Sequence, residues 1–224
     1  MTQHMTPITI TNPVAEENTY LLVTDQGILV VDPGSNGKAI IDRIKELNKP
    51  LAAILLTHTH YDHIMSLEAV RESFGQPPVY VANEEATWLY TPEMNLSGLI
   101  RHADLPDIIC QPAEEIFQYH TTYDIAGCQF IVVPTPGHSA GGVSFIFPEE
   151  AFVISGDALF RESIGRTDLP TGNFEQLIDS INTQLFSLPN HYQVYPGHGP
   201  STTISHEKKC QPLLPLMRKR IIFR

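Results

Sequence analysis

Short apolar runs separated by polar breaks fill most of the chain, and they predict β-strands. In the first half they occupy residues 7–11, 19–24, 28–32, 51–56 and 79–81. The polar break at 25–27 predicts a hairpin between the second and third of these runs. Helical spacing then places Ile40 and Ile44 on one face of a helix. A second helix is expected to begin near Asp62 and to continue to Phe74.

The second half repeats this arrangement. Strand patterns lie at 130–134, 143–147, 151–155 and 193–195, and helix patterns at 173–186 and 201–209. Asn173 and Gln176 resemble a capping box at the start of the first of these helices. Between the halves, residues 83–112 are irregular and are expected to form short helices and a surface loop. Two sets of strands with interspersed helices predict an α/β fold of layered sheets covered by helices.

Composition narrows the class of protein. The chain has 224 residues, 42% of them hydrophobic and 17% charged, so extended disorder is excluded and one domain over residues 1–224 is expected. A net charge of −11 repels phosphate backbones and disfavours nucleic-acid binding. No stretch reaches the roughly 18 apolar residues of a membrane helix, so no membrane association is expected.

The N-terminal segment and the cysteines bear on location. Residues 1–20 have neither the basic start nor the apolar run of a signal peptide. Cys110, Cys128 and Cys210 are odd in number and lack C-x-x-C spacing, which is typical of free thiols in a reducing compartment. A cytoplasmic location is therefore expected. The sequence leaves the oligomeric state open between a monomer and a small homo-oligomer.

The candidate chemistry begins in the segment Thr57-His58-Thr59-His60-Tyr61-Asp62-His63, which follows a predicted buried strand. His58 and His60 are two residues apart, so in an extended segment their side chains point the same way. Asp62 and His63 follow at the expected helix start. Imidazole and carboxylate groups are the ligands that zinc takes at hydrolytic sites. The segment therefore predicts part of a metal site.

Three further sites share one design, in which a glycine precedes a possible ligand just after an apolar run. They are Gly137-His138, Gly156-Asp157 and Gly197-His198. Because glycine permits a sharp turn and a close backbone approach, each ligand can be presented at the end of its strand. Each of these pairs taken alone is also typical of an ordinary turn. Together with the first cluster they predict a single site.

The number of ligands favours two metal ions. The candidates are five histidines and two aspartates: His58, His60, Asp62, His63, His138, Asp157 and His198. If Asp157 bridges, one ion takes His58, His60 and His138. The other ion takes Asp62, His63 and His198. Each ion then keeps a position for a shared water, whose pKa such ions lower to roughly 7. The expected reaction is attack by metal-bound hydroxide, oriented by Asp62 as the catalytic residue.

This set of motifs, in this order, resembles the metallo-β-lactamase superfamily. Within it, Gly156–Phe160, Gly165–Asp168 and Tyr195–Pro200 resemble the bacterial hydrolases of the glyoxalase II type. The resemblance implies an αβ/βα sandwich of two mixed β-sheets flanked by helices. It also implies hydrolysis of a glutathione thioester such as S-lactoylglutathione, a small molecule. Two divalent ions are expected, with zinc as the first candidate and iron or manganese as alternatives.

The substrate contacts are less well defined. Only 26 residues follow His198, whereas full-length glyoxalase II enzymes carry a helical C-terminal domain that contacts glutathione. Arg161 and Arg166, in the loop after Asp157, are the candidates for contacts with an anionic substrate. Solvent exposure without such a role is an equal alternative for both.

Other functions fit parts of the sequence. Persulfide dioxygenases resemble the same superfamily and would place one Fe(II) on His58, His138 and Asp157. Gly137-His138-Ser139-Ala140-Gly141 matches the nucleophile motif of serine hydrolases, but the segment after it predicts a strand where that motif needs a helix. A β-lactamase is disfavoured because nothing indicates export. A structural zinc module is disfavoured because such sites are closed and usually rich in cysteine.

The remaining polar features have simpler interpretations. His4, His102, His120, His191 and His206 are expected to be ordinary surface or core residues. Asp32 stands at a strand end before Pro33-Gly34, where a turn role is favoured and an acid that supports the site or the fold is the alternative. Trp88 is expected in the core or in a pocket wall, and the run Arg218-Lys219-Arg220 is expected to be a solvated tail.

Overall fold

Two six-stranded sheets and five α-helices make up the protein in a computed structural model that describes residues 5–100 and 104–211. The strands are β1 (Ile8–Thr11), β2 (Asn18–Val23), β3 (Ile28–Val31), β4 (Leu51–Leu55), β5 (Val79–Val81), β6 (Glu115–Ile116), β7 (Thr122–Ile125), β8 (Cys128–Pro134), β9 (Val143–Phe147), β10 (Phe152–Gly156), β11 (Leu159–Phe160), β12 (Ser163–Ile164), β13 (Gln193–Pro196) and β14 (Thr202–Thr203). The α-helices are α1 (Gly37–Leu47), α2 (Tyr61–Ile64), α3 (Leu67–Ser73), α4 (Phe174–Ser180) and α5 (Ile204–Cys210). A 3₁₀ helix spans Asn83–Tyr90, and π-helical turns at Ile181–Leu185 extend α4.

Both sheets are mixed. The first has the order β1-β2-β3-β4-β5-β6, antiparallel from β1 to β3 and parallel from β3 to β6. The second has the order β14-β13-β10-β9-β8-β7, in which only β10 and β13 run parallel. Strands β11 and β12 form a separate hairpin. The four parallel pairs require crossover connections. Helix α1 connects β3 to β4, α2 and α3 connect β4 to β5, the 3₁₀ helix and the segment after it connect β5 to β6, and α4 with its π-helical extension lies between β10 and β13.

The core explains why the central strands β2, β3, β4, β9 and β10 are buried on both faces. Alternate side chains of a strand point to opposite faces. Tyr20 and Leu22 accordingly enter a cluster between the two sheets, which also holds Phe130 and Phe145 of the second sheet. Leu21, which lies between them in sequence, faces the other way, into a cluster with α1 and α3.

Helices cover the outer face of each sheet. Ile40 and Ile44 of α1 and Val70 of α3 pack on the first sheet. Leu177 of α4 and Ile204 of α5 pack on the second. The layers therefore run helix, sheet, sheet, helix, and the predicted αβ/βα sandwich is confirmed.

Two local predictions also agree with the structure. The break at 25–27 forms the β2–β3 hairpin, where the hydroxyl of Thr24 accepts hydrogen bonds from the backbone of Gln26 and Gly27, both at 3.1 Å. Asn173 caps α4, because its side chain accepts a hydrogen bond from the backbone of Gln176 at 3.1 Å. In a complete capping box the Gln176 side chain would accept a hydrogen bond from the backbone N–H of Asn173. Here that N–H donates to the carbonyl of Gly137 at 2.7 Å instead.

Other elements differ from the sequence-based expectation. The helix predicted from Asp62 to Phe74 is two helices, α2 and α3. The backbone N–H of Ser66 donates to Pro33 at 3.0 Å, which interrupts the helical hydrogen bonding between them. The short strands β6, β7, β11, β12 and β14 were not predicted, because strands of two to four residues show little periodicity.

Several expectations stay predictions. His4, His102 and the Arg218-Lys219-Arg220 run lie outside the described residues. The assignment of residues 1–224 to one domain also stays a prediction.

Within the described residues, no helix combines the length and apolar character needed to cross a bilayer. Cys110, Cys128 and Cys210 are free thiols, as predicted.

Candidate metal centre

The candidate ligands meet at one edge of the two sheets, where β4, β10 and β13 end and where β8 turns back towards β9. Strand β2 holds the two sheets together at this edge. The hydroxyl of Tyr20 donates to Pro196 at 2.6 Å, and the side chain of Asn18 donates to Pro196 at 3.1 Å and to Gly199 at 2.8 Å. The loop that carries His198 is therefore fixed against the sheet that carries the first histidine cluster.

Three histidines form the first group of candidate ligands. The donor nitrogens of His58, His60 and His138 lie within 4.8 Å of one another, and all three residues are buried. The closest pair is Nδ1 of His60 and Nε2 of His138, at 2.9 Å. Two of these side chains come from the segment after β4 and the third from the β8–β9 loop. The sequence-based grouping of these three is reproduced by the geometry.

Asp62, His63 and His198 form the second group, again with donor atoms within 4.8 Å of one another. Nε2 of His198 lies 3.3 Å from Nε2 of His63 and 3.4 Å from Oδ2 of Asp62. Asp62 lies in the first turn of α2 and is buried.

Asp157 lies between the two groups. Its Oδ2 is 3.4 Å from Nε2 of His138 in the first group and 3.3 Å from Nε2 of His198 in the second. Its Oδ1 is 3.4 Å from Nε2 of His63. A single carboxylate thus faces both groups, as the prediction of a bridging role requires.

The Asp32 carboxylate supports both groups, through a direct contact with His63 and through Thr57 with His58. The expectation that Asp32 acts mainly in a turn was wrong. Its Oδ2 accepts a hydrogen bond from the Thr57 hydroxyl at 2.6 Å and lies 3.0 Å from Nδ1 of His63. The same Thr57 hydroxyl is 3.1 Å from Nδ1 of His58. A carboxylate behind a ligating histidine fixes the ring orientation and the tautomer.

Backbone carbonyls orient two more histidines. Nδ1 of His138 faces the carbonyl of Arg166 at 2.8 Å, and Nδ1 of His198 faces that of Ala15 at 2.9 Å. In both residues Nδ1 therefore donates a hydrogen bond to a carbonyl, which turns Nε2 towards Asp157.

Glu85 was not predicted, yet it joins the two loops that carry the first group. This fully buried carboxylate accepts hydrogen bonds from the backbone and hydroxyl of Thr59, at 2.7 and 3.0 Å, and from the backbone of Gly141 at 2.7 Å. Thr59 lies between His58 and His60, and Gly141 is three residues after His138. One side chain thus fixes the spacing of three candidate ligands.

Two of the glycines that precede ligands are required for steric reasons. Gly137 has a φ of 128°, and a Cβ there would lie 2.3 Å from the backbone nitrogen of Leu177. A Cβ on Gly197 would lie 2.1 Å from Oδ1 of Asp157. The glycine-ligand design read from the sequence thus reflects close backbone approach.

Charge pairing shifts the pKa values of the candidate ligands, and a cation would have to displace the proton that His63 holds. Burial, together with the neighbouring histidines, holds the pKa of His58 well below its usual range, so its imidazole is neutral. Burial alone raises the pKa of Asp157, but His198 and His63 outweigh it and hold the pKa well below its usual range. Burial also lowers the pKa of His63, but Asp157 and Asp62 raise it well above its usual range.

One independent observation also indicates that these residues could hold metal ions. Nε2 of His58 is buried and makes no hydrogen bond in the structure, although the ring lies edge-on to those of His60 and His138, with 4.7 and 5.0 Å between centroids. An unpartnered buried nitrogen is costly unless a ligand completes it. Five imidazoles with two carboxylates are also a typical donor set for borderline divalent cations.

A cleft of about 460 Å³ opens onto the ligands. Its walls beyond the ligands include Tyr61, Leu96, Phe160, Ile164, Arg166 and Leu169. The ring of Phe160 meets that of His198 edge-on, with 5.8 Å between centroids. The cleft therefore combines a polar floor with largely apolar walls, which is typical of small-molecule sites.

The two candidate substrate arginines differ in position. Arg166 lines the cleft, and its guanidinium donates two hydrogen bonds to Asp168, both at 2.7 Å. Arg161 is exposed and is not among the described residues that line the cleft. Their role in substrate binding stays a prediction.

Three other sequence features can now be placed. The segment after Ser139 leads into β9, and the Ser139 side chain is fully buried, so the serine-hydrolase interpretation lacks the helix it needs. Trp88 is buried. His206 was expected to be an ordinary residue, but its Nε2 lies 2.8 Å from Oε1 of Glu162 and 3.4 Å from Sγ of Cys210.

Comparison with known proteins agrees with this architecture. A family model described as the metallo-beta-lactamase superfamily matches residues 13–198. The chain is 61% identical over 201 residues to the probable metallo-hydrolase M6_Spy0554 of Streptococcus pyogenes serotype M6, covering 90% of this chain and 87% of that protein. It is 34% identical over 201 residues to the hydroxyacylglutathione hydrolase GloC of Haemophilus influenzae, covering 89% and 93%.

Solved structures show the same fold. The BLEG-1 B3 metallo-beta-lactamase is 38% identical with a TM-score of 0.88, over 93% of this chain and 99% of that one. TTHA1623, solved in a di-iron-bound form, is 33% identical with a TM-score of 0.78, over 92% and 99%. Family model, relatives and structures agree over most of the chain, and the protein therefore belongs to the metallo-beta-lactamase superfamily.

Proposed function

We propose that this protein is a metal-dependent hydrolase that cleaves a thioester with two divalent ions, zinc being the first candidate. The observation that carries the proposal is the convergence of five histidines and two aspartates at one cleft. The side chains among them that line this cleft are those of His60, Asp62, His138, Asp157 and His198. The relatives named as metallo-hydrolases support hydrolysis, and the GloC enzyme supports a glutathione thioester as the substrate.

The two groups of ligands have distinct parts in the proposal. His58, His60 and His138 would hold one ion. Asp62, His63 and His198 would hold the other, and Asp157 would serve both. When bound, such ions polarise a carbonyl oxygen and lower the pKa of water to roughly 7.

The protein's own groups orient the reaction. Asp62 presents its carboxylate to the cleft and accepts a hydrogen bond from the attacking water, which directs that water at the carbonyl carbon. Asp32 fixes the orientation of the His63 imidazole, and the Arg166 carbonyl fixes that of His138. The leaving thiol has a pKa of about 8.5, so its departure needs no strong acid.

The cleft walls favour a small acyl group. Phe160, Ile164 and Leu169 offer apolar surface to the part of the substrate next to the carbonyl. Arg166 lies at the same cleft, although Asp168 offsets its charge, so contact with an anionic glutathione moiety would be moderate.

The decisive experiment combines metal analysis with three substrates. The protein is purified without added metal, the zinc, iron and manganese per chain are measured, and S-lactoylglutathione, glutathione persulfide and a β-lactam are assayed. We expect two ions per chain and turnover of the thioester. One iron per chain with oxygen consumption on the persulfide would instead establish the dioxygenase, and turnover of the β-lactam alone would establish a β-lactamase.

A further inference from the structure

A second group of metal-binding side chains lies outside the cleft, on helix α5 and the β11–β12 hairpin. Oε1 of Glu162, Nε2 of His206 and Sγ of Cys210 all lie within 4.8 Å of one another. We propose that Glu162, His206 and Cys210 form a surface site for one zinc-like transition-metal ion, separate from the proposed catalytic centre. The proposal does not depend on the reaction catalysed in the cleft.

The geometry around His206 carries the proposal. Its Nε2 lies 2.8 Å from Oε1 of Glu162 and 3.4 Å from Sγ of Cys210. An imidazole nitrogen has one in-plane lone pair or one N–H, so it can form one good hydrogen bond and cannot satisfy both neighbours. A cation between the three atoms would satisfy all of them.

The distances suit such an ion. In a tetrahedral zinc site, bond lengths of about 2.0 Å to N or O and about 2.3 Å to S imply spacings of about 3.3 Å between N and O and about 3.5 Å between N and S. The Sγ–Nε2 distance of 3.4 Å already matches this spacing. The Oε1–Nε2 distance would open by roughly half an ångström, which the exposed side chain of Glu162 permits. Solvent would complete the coordination, because all three residues are at least partly exposed.

The frame that holds these ligands is rigid. His206 and Cys210 are four residues apart on α5, so their side chains share one face of the helix. Glu162 occupies the hairpin turn with a φ of 58°. The buried carboxylate of Glu207 accepts hydrogen bonds from the backbone of Glu162 at 2.9 Å and from the side chain of Gln211 at 2.7 Å. The turn is thereby held against the helix whether or not an ion is bound.

The chemistry indicates the class of ion. A thiolate, an imidazole and a carboxylate form a mixed donor set that suits Zn²⁺, Co²⁺, Ni²⁺ or Cu²⁺ and that magnesium and calcium disfavour. Thiolate and carboxylate charges together balance a divalent cation. Because Phe160 and Ile164 of the same hairpin line the cleft, an ion here would also stiffen one cleft wall.

Cobalt titration of the metal-loaded enzyme tests the site, because a thiolate-to-cobalt charge-transfer band reports only a sulfur ligand. The seven side chains of the proposed catalytic centre include no sulfur, so cobalt bound there gives no such band. Burial raises the pKa of Cys110 and of Cys128 to about 12, which keeps both thiols protonated. We expect one cobalt per chain to produce the band, and zinc to suppress it.

Variants connect the band to the three residues. C210S should abolish it, and H206A and E162Q should each weaken cobalt affinity by about tenfold or more. H191A, which changes another exposed histidine, should leave the band and the affinity unaltered. Circular dichroism and the metal content of the cleft would verify that each variant is folded. Absence of the band in the wild-type protein, its survival in C210S, or unchanged affinity in both H206A and E162Q would overturn the proposal.

Discussion

The floor and the wall of the cleft are built in different ways. On the floor, the candidate ligands are mostly buried, and buried carboxylates such as Asp32 and Glu85 hold them from behind. On the wall, Arg166 is half exposed and is paired with Asp168 on the same loop. Buried hydrogen-bonded groups tolerate little displacement, whereas exposed ion pairs contribute little energy. The floor is therefore the rigid part of the site, and the wall is the part that tolerates substitution.

The strongest test of this contrast removes the residue that faces both ligand groups. D157A should abolish thioester hydrolysis, with a loss of about 10³-fold or more, because several kcal/mol of charge stabilisation depend on the ions it holds. Metal content per chain and kcat/KM would be measured together. H191A, on an exposed histidine, is the matched control and should keep both values.

Metal content and activity, measured together, distinguish the possible roles of Asp157. If D157A retains both ions and full activity, Asp157 does not bridge and the proposed centre fails. If the ions remain while activity is lost, the residue acts on the substrate directly.

Asp32 tests whether the support behind the floor matters as much as the ligands. D32N keeps the shape of the side chain but removes the charge opposite His63 and disturbs the hydrogen bond from Thr57. Loss of such an outer partner costs about 10–100-fold in metal affinity or activity. Metal affinity would be measured by competition with a chelator. D179N, on an exposed carboxylate of α4, provides the comparison, and equal affinities in the two variants would exclude a supporting role for Asp32.

The sequence predicted the floor better than its supports, for a physical reason. Five of the seven candidate ligands closely follow strands, where a period of two and the glycines make them visible, and Asp62 and His63 begin the next helix. The helix-sheet layers follow from the hydrophobic periodicity of the same elements. Asp32 and Glu85 act across 25 and 26 residues of sequence on Thr57 and Thr59, and no local pattern encodes such contacts. The place of Asp32 at the end of a buried strand indicates a possible supporting acid, but the Pro33-Gly34 pair after it favours a turn. Glu85 lies in a 3₁₀ segment that offered no signal.

Glu85 allows a smaller and more local disturbance of the floor. E85Q replaces one carboxylate oxygen with an NH₂ group, which then faces the N–H of either Thr59 or Gly141. An unsatisfied buried donor costs about 1–3 kcal/mol, so the free energy of unfolding should fall by that amount. Affinity for the ion at the histidine group should fall with it. Thermal unfolding and metal titration would measure these effects.

Glu84 supplies the matched control for that variant. It is the neighbouring residue, but it is exposed, and its carboxylate accepts a hydrogen bond from the Tyr119 hydroxyl at 2.6 Å. E84Q should leave metal affinity unaltered. Equal behaviour of E84Q and E85Q would show that the two ligand loops keep their spacing without Glu85.

The wall should respond least, and Arg166 with Asp168 tests it. R166A removes a guanidinium whose charge Asp168 already offsets, so kcat/KM for an anionic thioester should fall by less than about fivefold, the equivalent of an exposed ion pair. D168N leaves the Arg166 charge uncompensated and should lower KM for the same substrate, with kcat little affected. High salt should remove the gain in D168N, because exposed charges are screened. A loss in R166A as large as that in D157A would instead place Arg166 among the groups that act on the reacting atoms, and the contrast between floor and wall would be wrong.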